Sequence, residues 1–481
     1  MEYLNFLEDE DREKLQLLMT LQQYNEQFLT QKKLIEETGL SKFLLDKYIT
    51  ELNISCPTLN ISEELYDEMS YQPVSNDLVQ KMQHAYAQRS LKFRFLVEVL
   101  VEEKSVKKFQ EDHHIAKTTL YQIRSRVLSS LKNEQITVKK NKLIGYEMKI
   151  RSVIFDIVAY FYFGEHSPFG SENNKNAQQL LKQLTTYFHL DLTFLQQKKL
   201  LLFIQVLQIR VKNRHMLNEN FCTVNEDIQH EYKTQLIAIE QALHGTIECD
   251  FEELRECNYL MLFLYVSEMF DVQLTFKQEL FIQNEETTQQ LIVLLQTKFQ
   301  ITESQKKQLH VAFLKKLLGF SIFRQSYTTF IDTAAYQYFA EVYFLLHKTI
   351  LRFIRTDSFI LSLDLSKNDQ AKLYYDMAFS VLATLDPAQL GKPINIYIDF
   401  SHGTAYTEFI SQSLRRFRDL NISIQKKFNN KTNVFLSDYR LQEANCTQII
   451  WKQPPTPSDW SRFADLVIQL REIENEKSHS L

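Results

Sequence analysis

Between Pro168 and Pro387 lie 218 residues without a proline, interrupted by only three glycines, Gly170, Gly245 and Gly319. Proline breaks a helix interior and glycine weakens one by about 1 kcal/mol. So long a stretch with so few breakers reads as helical throughout. An all-β chain is excluded on the same ground, because it needs many turns and the whole sequence holds 8 Gly and 8 Pro. The 481 residues are too many for one core and imply several units of roughly 100–150 residues each. Punctuation and patterning place the boundaries near 55–75, 150–175, 280 and 387–393.

The helical middle contains a duplication. "QQLLKQLTTYFHLDLTFLQQKKL" starts at Gln178 and "QQLIVLLQTKFQITESQKKQL" at Gln289. They share Leu184/Leu295, Thr186/Thr297 and Phe188/Phe299, then, after a two-residue gap, Thr193/Thr302, Gln196/Gln305 and Leu200/Leu309. A period of about 110 residues in two copies is too long for a solenoid and fits two homologous helical domains in tandem. The end of the chain changes character. "INIYID" from Ile394 reads as a strand, a helix follows "SHGTAY", and "ISIQKKF", "NVFLSD" and "TQIIWK" read as further strands before a closing helix capped at Ser458. Strands alternating with helices predict a small parallel α/β domain.

Net charge is −5, but the charge is unevenly spread: Lys104 to Arg151 holds 12 Lys/Arg against 4 Asp/Glu, a local excess of 12 − 4 = 8. A basic segment in an acidic chain is a localised electrostatic footprint for nucleic acid. Within it, "HHIAKTTLYQIRSRVLSSL" follows a helix capped at Ser105 and a short turn at His114–Lys117. Its apolar positions, Leu120, Ile123, Val127, Leu128 and Leu131, form one narrow stripe. Thr119, Tyr121, Gln122, Arg124, Ser125, Arg126 and Ser129 lie off that stripe. A helix pair joined by a short turn, with a polar and basic outer face on the second helix, is the helix-turn-helix pattern.

"ITVKKNKLIGYEMKI" then predicts a hairpin turning near Asn141-Lys142, with Lys139, Lys140 and Lys142 at its tip. Such a wing reaches phosphates or a minor groove. Lys117, Thr118, Thr119 and Gln122 would meet base edges, and Arg124 and Arg126 phosphate or guanine. The alternative is a basic helix docked on protein.

An earlier pattern, "TQKKLIEETGLSKFLLDKYITELNI" from Thr30, has Thr30 and Ser41 as caps and Gly39 at the turn. Leu45, Tyr48, Ile49 and Leu52 make its inner stripe, and Lys42, Phe43, Asp46 and Lys47 point out. Its outer face is nearly neutral. Ser41, Lys42 and Lys47 are its candidate DNA contacts; otherwise it packs against the winged unit.

Other chemistry is sparse. The five cysteines, Cys56, Cys222, Cys249, Cys257 and Cys446, are scattered and never CxxC, which predicts reduced thiols and neither a disulfide frame nor a zinc site. There is no glycine-rich phosphate loop and no HEXXH. The start, "MEYLNFLEDEDREKL", is acidic where a secretory signal is basic, and the longest apolar run, "NYLMLFLYVSEMF", falls short of the roughly 18 residues of a membrane span. A cytoplasmic protein without catalytic residues, metal, cofactor or membrane partner is expected.

The order of these parts resembles the Mga/AtxA family of Gram-positive transcriptional regulators, of the Mga-like enterococcal and streptococcal type. "LIEETGLSKFLLDKYITELN" and "VKKFQEDHHIAKTTLYQIRSRV" carry the resemblance best, and it extends over nearly the whole chain. It implies a mainly α, multidomain fold. Residues 1–60 would be a helix-turn-helix, 61–155 a winged helix-turn-helix, 156–280 and 281–388 two helical regulation domains, and 389–481 a domain like enzyme IIB of the sugar phosphotransferase system.

It further implies a DNA-binding global or virulence regulator acting on promoter DNA, here expected to be A·T-rich. Such a regulator would form a homodimer or higher oligomer and would be tuned by histidine phosphorylation from a phosphocarrier protein. His215, His310 and His347 are the candidate acceptors. The sequence departs from the family pattern in two places. The loop after the first IIB-like strand, Asp399 to Tyr406, has no cysteine, and the position seven before Arg210 is Phe203, not histidine. Two other classes stay open: a phosphotransferase phosphocarrier, for which His402 stands in the relevant loop, and an RNA-binding antiterminator, which would begin with a small β domain rather than helices.

Overall fold

The computed structural model describes residues 3–25, 28–64, 67–218, 222–224, 230–244, 254–271, 274–276, 279–323, 339–340, 342–386, 389–417 and 420–479. Cys249 and Pro387 lie outside them. The chain divides into two compact units, residues 1–278 with 322–327, and residues 279–321 with 328–481. It is mainly helical, with helix-turn-helix patterns towards the N-terminus and one small parallel sheet near the C-terminus.

The first unit opens with α1 (Asp9–Gln23), α2 (Gln31–Thr38) and α3 (Lys42–Ser55). Local chemistry sets these ends. The Thr30 hydroxyl accepts from the Lys33 N–H, the Ser41 hydroxyl from the Leu44 N–H, and Gly39 closes α2 at φ 69°, a left-handed angle that suits glycine. The short strands β1 (Ser62–Glu63) and β2 (Met69–Ser70) pair before α4 (Asn76–Arg89) and α5 (Leu91–Arg94). The chain then continues as a π-helix over Phe95–Val101, buried except near Glu98.

Next come α6 (Val106–Asp112), α7 (Lys117–Asn133), and the antiparallel strands β3 (Thr137–Lys139) and β4 (Lys142–Ile144). The following helix, α8 (Glu147–Tyr162), is buried on nearly every face, as an all-round apolar helix must be. Against it pack α10 (Phe194–Lys212) and α12 (Arg255–Val266), while α9 (Ser171–Tyr187) and α11 (Lys233–His244) pack on α10. Phe203 and Phe263 stack at 3.7 Å, with Phe155 against both.

The stretch after Pro168 is not helical throughout: β5 (Cys222–Val224) pairs antiparallel with β6 (Leu274–Phe276). Three-residue strands are too short to show alternation in sequence, and their pairing partners lie far apart along the chain.

In the second unit, α13 (Glu279–Gln296), α14 (Glu303–Phe323), α15 (Phe344–Thr356), α16 (Ser358–Ser362) and α17 (Lys367–Thr384) supply a helical core that includes Leu295, Phe313, Ile350 and Tyr374. The duplicated residues have equal environments in the two copies. Leu184 and Leu295 are fully buried, as are Leu200 and Leu309, and Phe188 and Phe299 nearly so. Thr193 with Gln196, and Thr302 with Gln305, each exchange side-chain-to-backbone bonds at the helix start. The same glutamine then donates to a carbonyl near the end of a later helix, Glu268 in one copy and Thr384 in the other.

His347 on α15 sits half-buried, its Nδ1 2.8 Å from the Tyr374 hydroxyl. Burial, with Arg355 nearby, lowers its pKa below the ordinary 6.5. The folded state therefore favours the neutral ring. Its contribution to stability is complete above pH 6.5 and is lost as pH falls below that value. Thermal melts from pH 7.5 to 5.5 should show the midpoint falling in the native protein and falling less in His347→Gln. An equal fall in both would remove His347 as the cause.

The sheet contains β7 (Ile394–Ile398), β8 (Ile422–Gln425), β9 (Val434–Ser437) and β10 (Thr447–Ile450), all parallel in the order β10-β9-β7-β8, with α18 (Thr404–Arg415) between β7 and β8. The closing helix α19 (Pro457–His479) begins two residues earlier than expected. Thr456, not Ser458, is its cap: Thr456 and Asp459 exchange bonds, and Pro457 takes the first helical position, where its missing N–H costs nothing. Arg471 on α19 donates to the Val342 carbonyl at 2.7 Å and to the Leu420 carbonyl, tying the sheet domain to the helices before it.

Candidate nucleic-acid interface

The unit from α4 to α8 positions a basic helix beside a short wing. Ser105 caps α6 by accepting from the Lys108 N–H. His114, at φ 50°, and Ile115 form the turn, and α7 begins at Lys117, one residue before the expected Thr118. No side chain caps α7, and its first intrahelical bond is made by the Leu120 N–H to the Ala116 carbonyl. The amides just before Leu120 thus point outward at the positive end of the helix dipole, an arrangement that favours phosphate. Ile123, Val127 and Leu131 are buried, while Leu120 and Leu128 are half-buried.

The outer face is open. Lys117, Thr118, Thr119, Tyr121, Gln122, Ser125 and Arg126 are exposed, Tyr121 at 71%. Arg124 is half-buried, and its Nε is buried without a hydrogen-bond partner among the described residues. The wing turns at Lys140 and Asn141, at φ 50° and 61°, which is the backbone of a tight two-residue hairpin. Lys139 and Lys140 are exposed at its tip. Between the wing and α7 lies a groove of about 340 Å³, lined by Val106, Lys117, Leu120, Tyr121, Arg124, Lys140 and Asn141.

The structure thus brings Lys117, Tyr121, Arg124 and Lys140 together. It sets two other candidates apart. Arg126 points to the other flank, 4.0 Å from Asp9. Lys142 is not at the tip but opens β4, and its ammonium lies 2.6 Å from Glu103. The turn sits one residue earlier than expected: Lys139 pairs with Lys142, which leaves Lys140 and Asn141 as the two turn residues.

In the first helix-turn-helix, Lys42 is exposed and the Ser41 hydroxyl is spent on its cap. Lys47 is engaged internally, 3.1 Å from Glu10 and 3.7 Å from Glu51. The Lys14 and Lys47 hydrogen bonds hold the Glu10 carboxyl at a pKa of about 2. Phe43 is the prominent outward side chain there, 76% exposed.

Of the three candidate histidines, His215 Nε2 is 2.5 Å from Glu103, His310 Nε2 is 2.6 Å from Glu285, and His347 meets Tyr374. Residues missed in the sequence are the carboxylates Glu98, Glu102 and Glu103 and the buried ions around Arg151. Three carboxylates just ahead of the basic segment were a readable signal for the first group.

In the sheet domain, the loop after β7 places the Ser401 N–H 2.9 Å from Asp438, and the Ser401 hydroxyl bonds the same carboxylate. These donors hold the Asp438 pKa below its ordinary value. Among the described residues, no group of three or more His, Cys, Asp or Glu side chains is placed to hold a metal ion. Among them, too, no helix is long and apolar enough to cross a membrane.

A helix pair with an open basic second helix, a wing, and a groove between them defines a winged helix-turn-helix unit, the architecture of DNA-binding regulators. Residues 75–157 match the family model described as the Mga helix-turn-helix domain, a span running from the Ser75 cap of α4 into α8. Over that span the chain is similar to the helix-turn-helix domain of Mga-family regulators. A search of curated proteins returns no match.

Proposed function

We propose that this protein is a cytoplasmic transcription regulator that reads A·T-rich promoter DNA with α7 in the major groove and the β3–β4 wing on the backbone. One observation carries the reading: the groove in which Lys117, Tyr121 and Arg124 of α7 face Lys140 of the wing. Lysine and arginine at such a place bind phosphate or guanine, and Tyr121 offers an apolar face to a thymine methyl. Fluorescence anisotropy with A·T-rich and mixed duplexes across a salt series tests it. Tight binding whose logarithm falls linearly with log[salt] is expected. Absence of binding at low salt would leave α7 as a protein-packing helix.

In the same reading, the two helical regions are regulation domains of the phosphotransferase type, with His215, His310 and His347 as phosphoacceptors. The sheet domain serves homodimer contact rather than phosphotransfer. The equal burial and capping of the duplicated residues support the first part. The second part is supported by the cysteine-free loop, where Asp438 takes up the Ser401 donors that a phosphate would use. Phosphate on a histidine adds about −1.5 to −2 charges and would repel the carboxylates now beside His215 and His310. Transfer of labelled phosphate from the phosphocarrier protein, compared across the three His→Ala variants, tests the acceptors. Light scattering that finds only monomer at micromolar concentration would remove the dimer.

A further inference from the structure

The segment between the π-helix and α6 holds the wing to the helices of the first unit. Glu103, at φ 57°, adopts a left-handed backbone that residues other than glycine rarely take. That conformation turns its carboxylate between two partners. Lys142, the first residue of β4, lies 2.6 Å from one oxygen. His215, just beyond α10, lies 2.5 Å from the other. Burial of Glu103 would raise its pKa, but the bonds from Lys142 and His215 outweigh that and hold it below the ordinary value.

His215 is itself held from behind. Its carbonyl accepts from Arg151 at 2.8 Å, and Arg151 is the buried ion that joins Glu256 and Glu147. Beside it, the Asn213 side chain donates to the Val101 carbonyl at the end of the π-helix, at 3.1 Å. The charged groups facing this joint are therefore Lys142 from the wing and, behind the His215 carbonyl, Arg151 with Glu147 and Glu256. π-turns concentrate where a helix is adapted for function, and this one delivers Glu103 to the wing.

We infer that Glu103 is a positioning residue that fixes the wing through Lys142 and couples it to the helical region through His215. The inference rests on the DNA-binding reading for its use, but not for its test. A wing held this way keeps Lys142 off the DNA. A change at His215 loosens Glu103, and with it the wing.

Hydrogen–deuterium exchange of the full chain without DNA is the deciding measurement. Glu103→Gln and His215→Ala should each speed exchange in residues 137–144 by about fivefold or more, the scale of an ordinary coupling between sites. Coupling is reciprocal, so Lys142→Met on the exposed wing should speed exchange at His215 and Leu217 as well. This third variant leaves the helical region untouched and guards against a simple failure to fold. Unchanged wing exchange in His215→Ala, or an effect of Lys142→Met confined to the wing, would overturn the coupling.

DNA binding gives a separate readout. Releasing Lys142 by Glu103→Gln should steepen the salt slope by about 0.9, and adding Lys142→Ala should restore it. If the native protein binds no DNA, the functional reading fails while the exchange data still decide the joint.

Discussion

Alanine at Arg124 is expected to weaken binding to duplex DNA by about 5- to 150-fold, equivalent to about 1–3 kcal/mol, while alanine at Arg126 leaves it within about threefold. The two arginines are equivalent in sequence, both off the apolar stripe of α7 and two residues apart. Two residues on a helix differ in direction by more than half a turn, so only one can face the wing. Arg124 does, sharing the groove with Lys117 and Lys140. A guanidinium at such a place can bond a phosphate or a guanine edge. Arg126 instead lies near Asp9, where part of its charge is already answered. The check is anisotropy at two salt concentrations. A larger loss from Arg126→Ala than from Arg124→Ala would place the DNA on the other flank of α7.

Arg151→Ala should destabilise the first unit by about 3–5 kcal/mol, enough to threaten folding of an ordinary domain. Arg151 is 1% exposed and bonds Glu256, also 1% exposed, at 2.5 and 3.0 Å, together with Glu147 at 3.0 Å. Arg210, fully buried, closes the group by bonding Glu147 at 2.9 and 2.7 Å. Removing Arg151 leaves Glu256 a buried charge whose remaining donor among the described residues is the Leu217 N–H at 2.9 Å. Removing both charges is different, because the desolvation cost goes with them. The pair Arg151→Met with Glu256→Leu should recover most of the loss, and Arg210 would keep its two bonds to Glu147. Urea unfolding of the single and double variants measures this. A double variant no more stable than Arg151→Ala would mean that the ions hold the packing itself, not merely each other.

Much of the architecture was legible because its causes are local. The caps at Thr30, Ser41 and Ser105, the turn at Gly39, the buried stripe of α7 and the strands of the sheet all follow from neighbours a few residues apart. At the end of the chain two residues offer the same local chemistry. Ser458 has the right chemistry for a cap, but Thr456 has it too, with Asp459 three residues on and proline between them. The short pair β5 and β6 left no periodic trace. In the candidate interface the residue types were readable. Their directions were not, because Lys47, Arg126 and Lys142 look as free in sequence as Lys117 and Arg124.

What the sequence determined by itself was the helical class, the duplicated middle, the basic helix and its hairpin. Each rests on periodicity, on capping or on breaker residues, which act within one or two turns. The tertiary structure alone decided which charges face outward. Glu103 meets His215 across 112 residues and Arg151 meets Glu256 across 105. Pairing at that range is chosen by packing around a shared core, where a buried ion must find a partner wherever the fold brings one. That choice leaves Lys117, Arg124 and Lys140 around one groove, and holds Lys142 against Glu103.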